Sequence, residues 1–131
     1  MKTIVAAAIG LAVVGLVSPA LAADPSGIWT WTSTFDSQTR ECAVKLRLDS
    51  EGSILSGVYF DDQSNQGAPI APAIFNEEDG RISFAVIREY SGEKVTIRYQ
   101  GTVSGDTITG RCQFEGGGQV QSTSWTARRQ R

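Results

Sequence analysis

Between Gly27-Ile28-Trp29 and Trp125-Thr126-Ala127-Arg128-Arg129, apolar residues recur at every second position through most of the chain. A period of two sends alternate side chains to opposite faces of an extended strand, so a run this long commits the chain to antiparallel sheet with one buried face. The clearest segment covers 41–49: Cys42, Val44, Leu46 and Leu48 lie on one face, and Glu41, Lys45, Arg47 and Asp49 on the other. No helical period of useful length interrupts the pattern.

Eight strands are predicted. The first carries Trp29, Trp31 and Phe35 against Thr30, Thr32 and Thr34, and the second is the 41–49 segment. In the third, Leu55, Gly57 and Tyr59 are placed inward, although Ile54, Val58 and Phe60 make the opposite face apolar too. The stretch 61–67 reads as a polar loop without periodicity. The fourth strand, 68–75, contains Pro69 and Pro72, which cannot donate ladder hydrogen bonds, so it should be short, bulged or at an edge. The fifth has Ile82, Phe84, Val86, Arg88 and Tyr90 on one face; the sixth turns Val95, Ile97, Tyr99, Gly101 and Val103 inward. Ile108, Gly110, Cys112 and Phe114 define the seventh, and Trp125, Ala127 and Arg129 the eighth, after a Gly116-Gly117-Gly118 turn. Tight turns at Ser91-Gly92 and Ser104-Gly105 make consecutive strands antiparallel neighbours. The expected fold is all-β, an eight-stranded antiparallel up-and-down barrel, circular or flattened, with a two-layer sandwich as the alternative.

The start of the chain has a different character. Lys2 precedes an apolar stretch over 4–17, and Ser18-Pro19-Ala20-Leu21-Ala22 supplies an Ala-x-Ala site. This pattern predicts a cleavable secretory leader over 1–23, shorter in its apolar core than a membrane span, followed by one domain over 24–131. The mature chain is then expected in the periplasm or secreted, with no membrane attachment after cleavage. The whole sequence holds 12 Lys and Arg against 14 Asp and Glu, and one of the basic residues, Lys2, leaves with the leader. A mildly acidic domain argues against nucleic acid, which calls for a basic face.

With odd strands running upward, Trp29 and Arg129 share the lower end. Phe35, Cys42, Tyr59, Arg88, Tyr90, Cys112 and Phe114 share the upper half. Gly27-Ile28-Trp29, the 53–59 segment and the final Trp/Arg strand resemble the avidin and lipocalin-type calycin barrels. That resemblance implies closure of the barrel base by Trp29, with Arg129 or Arg128 lying across it. The chain ends, with 82–84 and 99–108, also resemble small exported bacterial β domains of no assigned activity. Avidins hold biotin with a polar residue two positions after the opening Trp, a Tyr in the third strand, a small hydroxyl residue two further on, and a Trp in the sixth. Here Trp31, Tyr59, Asp61 and Tyr99 stand there, and only Tyr59 matches, so biotin is not the expected ligand.

Candidate sites follow from inward residues of the wrong character. Arg88 follows three apolar inward residues, where an unpaired charge is costly. It either holds an anionic ligand at the upper mouth or reaches solvent or a carboxylate of Glu41, Glu89 or Asp61. Trp29, Trp31, Trp125, Tyr59 and Tyr99 either line a ligand cavity or fill a small core, both of which suit eight strands. Cys42 and Cys112 are the two cysteines of an exported chain, which predicts a disulfide. Three strand steps around a circular ring would hold them beyond the bonding limit, so either the barrel is flattened and these strands face each other, or the thiols stay free in the core.

No His is present, which removes the commonest general base and metal ligand. Asp61-Asp62 offers at best a weak Ca²⁺ contact. The expected function is therefore non-catalytic binding without cofactor or metal: a small molecule at Trp31, Tyr59, Arg88 and Tyr99 in the mouth. The alternative is an exported protein partner, engaged through the upper loops 36–40 and 61–67 in the manner of a protease-inhibitor barrel.

Overall fold

A computed structural model describes residues 24–35, 37–49, 51, 54–90 and 92–131. The expected leader over 1–23 and Asp36 of the first upper loop lie outside the described residues. The elements are nine strands: β1 (Gly27–Phe35), β2 (Gln38–Leu48), β3 (Leu55–Asp61), β4 (Ser64–Pro69), β5 (Ala73–Phe75), β6 (Arg81–Tyr90), β7 (Glu93–Ser104), β8 (Thr107–Gly116) and β9 (Gln119–Arg129). They form one antiparallel sheet in the order β4-β3-β2-β1-β9-β8-β7-β6-β5, curled into a half-barrel. One continuous sheet replaces the two-layer alternative.

The strand count corrects the expectation of eight. The predicted fourth strand is divided at residues 70–72, and each half pairs with a different end of the sheet. Proline explains the division: a residue without N–H cannot carry the ladder across. Because every pairing is antiparallel, β4 and β5 run in the same direction, so the two are halves of one bent pass. The polar 61–67 loop is corrected too. Only Asp62 and Gln63 form the turn, while Ser64 already begins β4.

Alternation is realised as burial. In β2 the pattern leaves Cys42, Val44 and Leu46 buried and Glu41, Lys45 and Arg47 exposed. The concave face is packed with rings: Trp31, Tyr59, Phe84, Tyr99 and Trp125 contact one another with centroids 4.9–6.3 Å apart. Ring pairs at these separations and tilts add to the stabilisation from area burial.

Cys42 and Cys112 are buried and free, which overturns the expected disulfide. They lie on β2 and β8, with β1 and β9 between them in the sheet. Three steps of about 4.8 Å exceed the roughly 7 Å Cα separation a disulfide tolerates.

From β3 round to β6 the strand pairing is continuous except at one seam. β9 follows β8 in register from Gln119↔Gly116 to Arg128↔Thr107, and β1 follows β2 from Gly27↔Leu46 to Phe35↔Gln38. Between β1 and β9 the register consists of Arg128↔Thr30 and Arg129↔Trp29 only.

Candidate functional site

The upper end of the curl is organised around Asp61. Parity puts Asp61 on the buried face two residues after Tyr59, where β3 ends. The turn that follows folds back, so that the Gln63 amide donates to Asp61 Oδ1 at 3.0 Å, as in an Asx-turn. From β6, Arg88 Nη2 donates to the same oxygen at 3.2 Å. Oδ2 accepts from the Tyr90 hydroxyl at 2.7 Å and the Tyr59 hydroxyl at 3.0 Å. The carboxylate thus receives four donors. Its side chain is fully buried, and that of Arg88 is 8% exposed.

Arg88 is held on its other side as well. Nη1 donates to the Gln66 carbonyl at 3.1 Å, and the guanidinium lies 5.5 Å from the Tyr59 ring centroid. A second buried arginine, Arg40, stacks 4.4 Å over Tyr90 and donates to Gln38 Oε1. The Tyr59 hydroxyl also lies 3.4 Å from Cys42 Sγ.

Burial by itself would raise the Asp61 carboxyl. The hydrogen bonds from Tyr90, Gln63 and Tyr59 and the charge of Arg88 outweigh it and hold the group below the ordinary carboxylate range. The surrounding acids move the other way. Burial pushes Cys42 up to about 11, Cys112 to about 12 and Tyr90 to about 12, the last also through its bond to Asp61. Burial likewise raises Tyr59 and Tyr99. Near neutrality Asp61 is therefore a carboxylate with its lone pairs engaged, and the thiols and phenols keep their protons. Such groups are suited to holding the curl in register rather than to moving protons.

The predicted site residues separate into two groups. Tyr59 and Arg88 meet at Asp61, the carboxylate named as one possible partner for Arg88. Trp31 and Tyr99 belong to the ring cluster, with centroids 5.2 Å apart. At the opposite end Arg129 lies 4.4 Å over Trp29. It donates to Asp106 Oδ1 at 2.8 Å and to the carbonyls of Ser26, Asp24 and Gly105. Trp29 Nε1 donates to the Pro25 carbonyl at 2.8 Å.

Sequence reasoning put Arg40 in an upper loop over 36–40, whereas residues 38–40 belong to β2 and Arg40 is buried there; it missed Ser33 and the role of Tyr90. Arg40 shares inward parity with Cys42, and Ser33 with Trp31, so polar residues at inward positions were the available signal. Compared with family profiles, curated proteins and solved structures, the chain has no match.

Proposed function

We propose that this chain is an exported, non-catalytic binding module of the calycin-like kind and that its partner is another protein. For the architecture, support comes from the bent pass: Ile70 N–H bonds Gly57 O at 3.1 Å and Ala71 N–H bonds Ala85 O at 2.8 Å, linking the two ends of the sheet. In this reading the curl closes as an eight-pass barrel, with Trp29 and Arg129 across its base. The leader-like 1–23 segment supports export to the periplasm or beyond.

The observation that carries the choice of partner is the ring-packed concave face. Five aromatic side chains occupy the space a small ligand would need, and Arg88, the expected anion holder, is spent on Asp61. A binding barrel whose interior is occupied must use its rim, edges or outer faces. Trp31, Tyr59, Arg88 and Tyr99 then serve as core and network.

Native mass spectrometry of the protein purified from the exported fraction, with and without chemical cross-linking, tests this reading. The expected result is a processed chain without a retained small molecule and, after cross-linking, a second polypeptide of defined mass. A small molecule retained in stoichiometric amount would overturn it and return the function to the mouth.

A further inference from the structure

Above Thr30 and Arg128 the strands β1 and β9 part company, each remaining on its other neighbour. In an antiparallel ladder alternate residues turn both backbone groups to the same side. The bond from Gln130 N–H to Ile28 O sets the phase at this seam. Thr32 and Thr34 of β1, and Thr126, Ser124 and Ser122 of β9, therefore turn their N–H and C=O groups toward the gap. Among the described residues no strand pairs with either edge there.

Two further observations point to an occupant. A cavity of about 180 Å³ lies in the gap, with Trp31, Ser33, Cys112, Thr123 and Trp125 in its wall. Three residues of that wall, Trp31, Ser33 and Trp125, only 7%, 7% and 4% exposed, each carry a polar side-chain atom (Nε1, Oγ and Nε1) that is buried without a hydrogen-bond partner. Buried donors are normally satisfied, and an indole N–H can be satisfied only by an acceptor. The edges are also unprotected. Residues 31–35 and 119–127 contain no charged residue and no proline, the usual guards against strand addition.

We propose that the β1/β9 gap is a strand-binding site for an extended, uncharged segment of a partner protein. Its backbone continues the ladder along the open edges, and an inward side chain bearing an acceptor, such as Asn or Gln, meets the indole N–H groups. Since β1 and β9 are antiparallel, the inserted strand runs antiparallel to one edge and parallel to the other. The inference rests on the reading of the protein as a protein-binding module and adds the place and the chemistry.

The test uses the purified protein and a fluorescein-labelled positional-scanning library of uncharged hexapeptides, followed by anisotropy and by residue-resolved amide exchange. In the free protein the amides of Thr32, Thr34, Ser124 and Thr126 should exchange far faster than those of Trp31, Ser33 and Trp125, which bond inside the sheet. The best peptide should slow the first group at least about tenfold, and its backbone N-methylated form should not bind. Ser124→Pro and Thr32→Pro each delete an N–H without a ladder partner. Both should fold, and each should weaken peptide binding about tenfold. Should the proline variants fail to fold, the N-methylated peptide still decides.

Seam amides already protected in the dilute monomer would overturn the proposal. So would protection that grows with protein concentration, which would make the occupant a second copy, or protection elsewhere with unchanged binding by the proline variants. In the last case the protein-binding reading survives. If no peptide binds and no polypeptide is cross-linked in the exported fraction, both fall.

Discussion

Asp61 is the residue on which the upper end depends, because it is the counter-charge of a buried arginine and the acceptor of two phenols. Asp61→Asn leaves Arg88 buried beside a neutral amide, and chemical denaturation should report a loss of about 3–5 kcal/mol. The same residue sets an acid limb. Its folded pKa lies below the unfolded value of about 3.9, so its contribution is present above that pH and is lost as pH falls through the lower folded value. The wild type should lose stability steeply below about pH 4, and Asp61→Asn should flatten that limb. The cysteines allow a second measurement at this scale. Buried thiols held protonated are poor nucleophiles, so a thiol reagent at pH 8 should leave Cys42 and Cys112 unmodified in the native protein and modify both in denaturant.

Parity exposed Arg88 as a charge on an apolar face, and Asp61 was within the set of carboxylates it singled out. It could not select Asp61 over Glu41 or Glu89, because β3 and β6 are not neighbours in the chain or in the sheet ladder. Only the curl brings them together, and a period of two contains no information about curl.

Among elements, β7 and β8 show how closely backbones approach. Gly101 and Gly110 are register partners, and a Cβ on Gly110 would fall 1.9 Å from the Gln100 carbonyl oxygen. That neighbour is backbone and cannot swing away, so Gly110→Ala should cost about 1–3 kcal/mol and lower the thermal midpoint. The lower ends of β9 and β1 are fastened by Arg129, whose planar fork serves several acceptors at once. Arg129→Ala should destabilise by about 2–3 kcal/mol and shift Trp29 fluorescence to longer wavelength, and Arg129→Lys should recover only part of the loss. Strand positions were legible wherever one face was apolar and the other polar, as in 41–49. The division of the fourth strand was visible only as two prolines: their lack of N–H predicted weakness, but not that the halves would serve opposite ends of the sheet. The seam had a signal that went unread. Above Trp125 the inward positions of β9 are Thr123 and Gln121, polar and exposed, which marks a strand whose inner face has nothing to pack against.

For the molecule as a whole, the bent pass decides how the fold comes apart. β5 contributes three paired residues and β4 a register broken between Tyr59 and Asp61, whereas β7 and β8 share nine consecutive pairs. Local opening free energies follow the density of such pairing. Native-state amide exchange should therefore find Ile70, Ala71 and Ala85 opening at lower free energy than Ile97 or Cys112. The division of 68–75 has an outcome beyond topology. The segment joins the two ends of the sheet through a few backbone bonds at 70–72, so partial opening there should precede global unfolding. A sheet bridged in this way should respond to stress in stages: mild denaturant, or a protease cutting near Pro72, would free the outer edges of β3 and β6 as two fresh, sticky margins. The fate of the damaged molecule would then be association rather than simple unfolding.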